Sequence, residues 1–260
     1  MSARLADPSL MLAADVVDDL ERVRIANENR LRQLTRAEVD SDGEERGFGL
    51  SADHPDVARL AGIVEAMAKL EHDATLGLQR HMRAHPLGPW VKATKGIGEK
   101  QAARLIAAVG DPYWNTLHDR PRTVSELWAY SGLHTLPVDR TSTDTQGTGV
   151  DRDQTGSDPG QRRSDSPPVS ARAAAKRRKG QRANWSNTAK MRAFLCAQSC
   201  IKQAESPYRA TYDARRAHTA VTHPDWTLGH SHNDALRIVS KAILRDLWRA
   251  ARDLHEGVTP

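Results

Sequence analysis

The chain has 260 residues, enough for one or two compact domains of ~100–200 residues. Its apolar content of 38% supplies a core for part of the chain, and no run approaches the ~18 consecutive apolar residues of a membrane-spanning helix. Two cysteines, Cys196 and Cys200, exclude a secreted disulfide scaffold. The residues from Met1 to Pro8 lack the apolar segment of a signal peptide, so a cytoplasmic protein with no membrane partner is expected.

Charge is unevenly spread. Residues 1–90 hold 11 Lys and Arg against 16 Asp and Glu, 91–140 hold 7 against 5, 141–190 hold 10 against 5, and 191–260 hold 10 against 7. An acidic N-terminal part therefore precedes a basic C-terminal part. The basic part suits phosphate neutralisation with counterion release, and it equally suits a solvated basic face.

In chain order, residues 9–38 read as one long helix. Val16, Leu20, Val23, Asn27, Leu31 and Leu34 recur at three- and four-residue steps. Asp18, Glu21, Arg24 and Glu28 fall largely off that stripe. Asn27 is either a register-setting polar residue on the seam or an exposed residue at its edge. Residues 39–54 are polar and glycine-rich, hence a loop. Pro55 then suits the first turn of a second helix, capped by Ser51 or Asp53, with Val57, Leu60, Val64, Met67, Leu70, Ala74 and Leu78 along one face. Two such helices and one loop predict an antiparallel hairpin over 1–88. Its narrow apolar stripes require a further partner surface, so a homo-oligomer is expected.

Pro86, Gly88 and Pro89 mark a boundary, and residues 89–137 follow as a second unit. There Lys95-Gly96-Ile97-Gly98 leads into a helix with Lys100 in its first turn and Ala102, Leu105, Ile106 and Val109 on its apolar face, ended by Gly110. This is the pattern of a helix-hairpin-helix turn. Glycines admit close approach to a phosphate, and the helix start offers free N–H groups and a positive dipole end. The expected contact is to backbone phosphate, without base readout. A tight interhelical turn that touches no ligand is the alternative. Thr123 and Glu126 predict a capping box for a further helix through Tyr130, and Trp114 and Trp128 read as core.

Residues 138–183 are nearly devoid of apolar side chains, which predicts a disordered insertion. It ends in the basic run Lys176, Arg177, Arg178, Lys179 and Arg182, a second candidate for phosphate binding. Order resumes at Trp185 over residues 184–260. A helix is capped by Asn187 or Ser186, another follows Ser206-Pro207-Tyr208, and a last strong helix spans 231–254. With no strand signal, the fold class is all-α.

No phosphate-binding loop, nucleophile elbow or His-Glu-x-x-His motif is present, and no cofactor is implied. Cys196 and Cys200 lie four apart on one helix, a poor zinc spacing, so no metal site is assigned.

Several segments, in order, resemble the C-terminal domain of a known family. They are Gly96-Ile97-Gly98 with Ala102-Ala103, Gly110-Asp111-Pro112, Glu126 to Leu133, Ser186-Asn187 with Met191 to Leu195, Ser206 to Arg209, and His232 to Lys241. The family is that of insertion-sequence transposases with an N-terminal RuvC-like DEDD nuclease domain and a C-terminal serine-containing domain, some of which act with a guiding bridge RNA. The hairpin is similar to the coiled coil preceding that domain. The resemblance implies DNA as partner, with RNA as a second candidate, and a role in transposition or recombination. It also implies a nucleophilic serine between the Tyr-x-Gly-Leu and Gly-Asn segments. Here that interval holds Ser142, Ser157, Ser164, Ser166 and Ser170, with Ser170 at the closest spacing, although it falls where disorder is predicted. The RuvC-like carboxylates have no counterpart in this sequence, so a protein without its own nuclease domain is expected. The competing expectation is a non-enzymatic helical oligomerisation or adaptor protein.

Overall fold

A computed structural model describes residues 5–38, 41–44, 46–137, 172–174, 180 and 183–257. The described chain is all-α: eight helices carry the structure, and the strands are two- or three-residue pieces. Among the described residues no helix is long and apolar enough to cross a membrane.

Helix α1 (Pro8–Thr35) and helix α2 (Pro55–Ala84) form the antiparallel hairpin. Asp7 caps α1 by accepting the N–H groups of Ser9 and Leu10, and its other oxygen lies 2.8 Å from Nε2 of His81 near the end of α2. At the far end the connecting loop folds back onto α1. The N–H groups of Phe48, Gly49 and Leu50 donate to the carbonyls of Gln33, Arg36 and Leu34, satisfying acceptors that a helix terminus leaves open. The α2 cap is neither Ser51 nor Asp53. Pro55 occupies the first helical position, so the cap falls on His54, whose ring nitrogen accepts the Asp56 N–H.

Helix α3 (Gly88–Ala93) and helix α4 (Glu99–Val109) follow. His85 anchors the approach to α3: it is buried, accepts the Leu87 N–H, and donates to the carbonyl of Leu5. Burial pushes its pKa down, consistent with the neutral ring that this bonding pattern needs.

Beyond α4, strands β1 (Trp114–Asn115) and β2 (Arg120–Pro121) pair antiparallel, and helix α5 (Val124–Tyr130) starts at Thr123 with the predicted capping box. The Arg120 guanidinium and the Thr123 N–H hold the Glu126 carboxyl down at about 2. Strands β3 (Thr135–Pro137) and β4 (Arg172–Ala174) pair Leu136 with Ala173. The expectation of no strands therefore needs correction. Ladders this short carry no readable period-two alternation. The rest of the predicted disordered insertion lies outside the described residues, apart from Gly180 and Ala183.

Helices α6 (Asn187–Ile201), α7 (Pro207–Thr222) and α8 (Leu228–His255) complete the chain, capped by Ser186, Ser206 and Thr227. Helix α4 packs against α1, α2, α3 and α6, while α8 packs against α5, α6 and α7. One continuous core runs from Leu10, Val17 and Leu78 of the hairpin through Leu105 and Ile106 to Leu236, Ile243 and Leu247.

The inward face of α1 differs from the predicted stripe. Leu10, Ala14 and Val17 are buried, whereas Val16 and Val23 are exposed. Asp18, Glu21, Arg24 and Glu28, expected off the stripe, face the protein, because α4 and α6 bring cations to meet the carboxylates. Arg104, only 4% exposed, lies between Asp18 (2.7 Å) and Glu21. Arg192 reaches Asp18, and Lys100 lies 3.5 Å from Glu71 and 3.8 Å from Glu21. Arg24 bridges Glu71 (2.5 Å) and Glu28 (2.6 Å). Burial raises the Glu21 pKa, but the bond from Arg104 and the charges of Arg104, Lys100 and Arg192 outweigh it and hold the carboxyl below its ordinary range.

Removing one side of such a network leaves its partners with fewer charge-assisted contacts. Arg104→Met keeps the aliphatic stem but leaves Asp18 to Arg192 and Glu21 to Lys100, and should cost about 1–3 kcal/mol in urea unfolding. A loss below ~1 kcal/mol would show that the network contributes no more than a surface pair.

Candidate nucleic-acid interface

The helix-hairpin-helix geometry is formed by α3, the turn from Thr94 to Gly98, and α4. Thr94 closes α3: its hydroxyl donates to the Trp90 carbonyl at 2.7 Å, and its carbonyl accepts the Ile97 N–H. Ile97 is buried and pins the turn to the core.

The two glycines of the turn have different reasons to be glycine. Gly96 has φ +99°, and a Cβ there would sit 2.9 Å from the Cα of Cys200 and 3.2 Å from the Ser206 hydroxyl. Its bareness serves the close packing of the turn on α6. Gly98 is the N-cap of α4 in ordinary extended backbone, with nothing within 4 Å of a built Cβ. No side chain caps α4 there, so its first amides have no capping acceptor at the positive end of the helix.

Gly98 borders a groove of about 910 Å³ lined by Met82, Arg83, Lys92, Lys95 and Glu99 among others. Arg83 pairs with Glu99 at 3.2 Å, and Lys95 pairs with Glu205 across an exposed gap. Lys92 is exposed and has no ion-pair partner among the described residues. Of the residues proposed from sequence, Lys95, Gly96, Ile97 and Gly98 come together at this groove. Lys100 does not join them, because its ammonium is turned to Glu71 and Glu21. Lys176, Arg177, Arg178, Lys179, Arg182 and Ser170 lie outside the described residues. Lys92 and Arg83 were missed in the sequence. The Lys92-x-x-Lys95 spacing, one turn apart, was the available signal for Lys92.

Both cysteines are free, buried thiols. Burial pushes the Cys196 thiol up to about 12 and that of Cys200 up to about 11. Among the described residues no group of three or more His, Cys, Asp or Glu side chains is placed to hold a metal ion.

No protein-family model matches the chain, and comparison with curated proteins gives no match.

The glycine pair separates packing from surface. Gly96→Val should cost at least ~3 kcal/mol through backbone strain and overpacking, whereas Gly98→Val should cost about 1 kcal/mol or less, the price of a poorer N-cap. Equal losses in thermal unfolding would contradict the assignment of Gly96 to packing and Gly98 to an open surface.

Proposed function

We propose that the protein binds the phosphate backbone of DNA through the groove at Gly98 and acts in DNA transposition or recombination as a relative of the serine-containing transposases. The observation that carries the binding role is the uncapped start of α4, bared by Gly98 and opening on a groove rimmed by Lys92 and Lys95. Helix starts bind anions through free amides and the dipole. Contacts of this type read the backbone and leave sequence unread. The process is assigned from the ordered resemblance across residues 94–254. The basic run Lys176 to Lys179 adds charge to the same task, and RNA is a second polyanion that this chemistry accepts. Ser170 has no obligatory chemical role in this reading.

A gel-shift titration of duplex DNA across salt concentrations tests it. Each phosphate contact contributes about 0.9 to the slope of log affinity against log salt. Lys92→Gln should flatten the slope by about one unit, and alanine at Lys176, Arg177, Arg178 and Lys179 by about three to four. Gly98→Val should weaken binding on a stable fold. Absence of any salt-dependent shift would leave the adaptor reading in its place.

Self-association is proposed for the hairpin. Leu12 and Val16 of α1 and Ala74 and Gly77 of α2 line a shallow apolar groove of about 500 Å³, and Leu70 nearby is 57% exposed. Along the outer face of α2, Arg59 and Asp73 lie seven residues to either side of Ala66, all three exposed. An antiparallel pairing of two copies sets Arg59 of each against Asp73 of the other. Light scattering should give a dimer or larger, reduced to monomer by Leu12→Asp with Leu70→Asp. A monomer at high protein concentration in the unaltered chain would dismiss this proposal.

A further inference from the structure

We infer that His85 is an acid-sensitive hinge pin: its neutral ring fastens the start of α3 to the end of α2, and protonation of the ring releases that end of α3 and with it one wall of the groove at Gly98. The connection between the two helices is short. The N–H of His85 closes α2 on the carbonyls of His81 and Met82. Pro86 has no N–H, so the next backbone donors are those of Leu87 and Gly88. His85 accepts both, the Leu87 N–H on ring Nδ1 at 3.1 Å and the Gly88 N–H on its carbonyl at 2.7 Å. The chain doubles back so closely here that a Cβ on Gly88 would stand 2.6 Å from the Arg83 carbonyl oxygen.

The pin works in one protonation state. Nδ1 must be bare to accept from Leu87, so the ring proton sits on Nε2, which donates to the Leu5 carbonyl at 3.0 Å. Both partners belong to the core, where Leu5 and Leu87 are fully buried. A second proton, on Nδ1, sets two donors head to head. The Leu5 bond survives, because Nε2 still donates. The Leu87 bond does not, and a buried amide without an acceptor is unfavourable. Charging the ring therefore frees α3 while the chain ahead of α1 stays fastened.

The surroundings keep the ring neutral. The charged groups about it are Asp7 ahead of α1, His81 on α2 and Asp111 after α4, with His255 of α8 behind Asp111. Helix α3 contributes only Lys92, exposed at the groove. Burial is the largest influence and pushes the His85 pKa down. The Leu5 bond and the charges of Asp7 and Asp111 pull it up, while a charge on His81 acts with burial. Neither carboxylate bonds the ring, since Asp7 is taken by His81 at 2.8 Å and Asp111 by His255 at 2.7 Å.

The sign of the pH dependence follows. The closed ring resists a proton that the released ring takes up at the ordinary histidine value of about 6.5. Attachment of α3 is complete above that value and is lost as the pH falls below it, toward the lowered value of the closed form. One unit below ~6.5, the released form gains about tenfold over its share at neutral pH. Pro89, Val91 and Lys92 of α3 line the groove, so their release reshapes it whether or not the groove takes nucleic acid.

Amide exchange of the full chain at about pH 7.5 and about pH 5.5, corrected for the intrinsic rate and read by mass spectrometry, tests the hinge. Peptides covering residues 87–94 should exchange about tenfold faster at the lower pH, while those covering Leu244 and Leu247 of α8 hold. In His85→Gln, whose side-chain amide offers a donor and an acceptor without titrating, that difference should vanish. A difference that persists in the variant, no difference in the unaltered chain, or equal quickening in α8 overturns the inference. Ring nitrogen shifts of His85 in the unaltered chain give an arm that needs no variant. Nε2 protonated and Nδ1 bare at neutral pH upholds the pin, and the opposite tautomer or a charged ring overturns it.

Discussion

The guanidinium of Arg104, inserted between Asp18 and Glu21, sets the relation between the two parts of the molecule. With Arg192, Lys100 and Arg24 it balances the carboxylates of Asp18, Glu21, Glu28 and Glu71, four charges of each sign. Apolar packing between α4 and the hairpin is non-directional and would tolerate sliding. Opposed charges removed from water do not, because each needs its partner in place. The register of α4 against α1 and α2 follows, and with it the placing of exposed Gly98 at the groove. The same network explains why Lys100, two residues beyond Gly98, is absent from the groove.

The network also changes the meaning of the charge partition in the sequence. The acidic excess of the first 90 residues is in part neutralised internally by cations borrowed from α4 and α6. A count along the chain registers an acidic part and a basic part, but folding turns some of that contrast into contacts between them. The cations left over for a ligand are therefore fewer than a count of basic residues implies. Lys92 at the groove is one that has no carboxylate partner among the described residues, as are exposed Lys69, Arg80 and Lys202 elsewhere on the helices.

Much of the fold was legible because its signals are local. Thr123 with Glu126 marks a helix start through bonds between residues three apart, Gly110 ends α4 at φ +72°, and the apolar face of α4 is buried as its periodicity indicates. Apart from the short strand ladders and Lys92, the failures are non-local. Val16 and Val23 fit a helical stripe as well as Val17 does, and only the position of α4 and α6 decides which face turns inward. The His54 cap depended on where the loop delivered Pro55. Gly96 and Gly98 are indistinguishable as letters, yet one is pressed on Cys200 and the other stands in the open. The Gly-Ile-Gly pattern ahead of an apolar helix face located the turn, but could not separate packing from binding within it.

The ladder between Leu136 and Ala173 has a consequence for the length of the chain it closes. It holds together the two ends of a stretch of 34 residues, 138–171. Closing a loop costs free energy only as the logarithm of its length, about 0.6 kcal/mol for each doubling. Whatever path those residues follow, the helical body on either side is nearly indifferent to how many there are. The ladder is thus a splice point, at which a polar segment can lengthen, shorten or change composition while α5 and α6 keep their places.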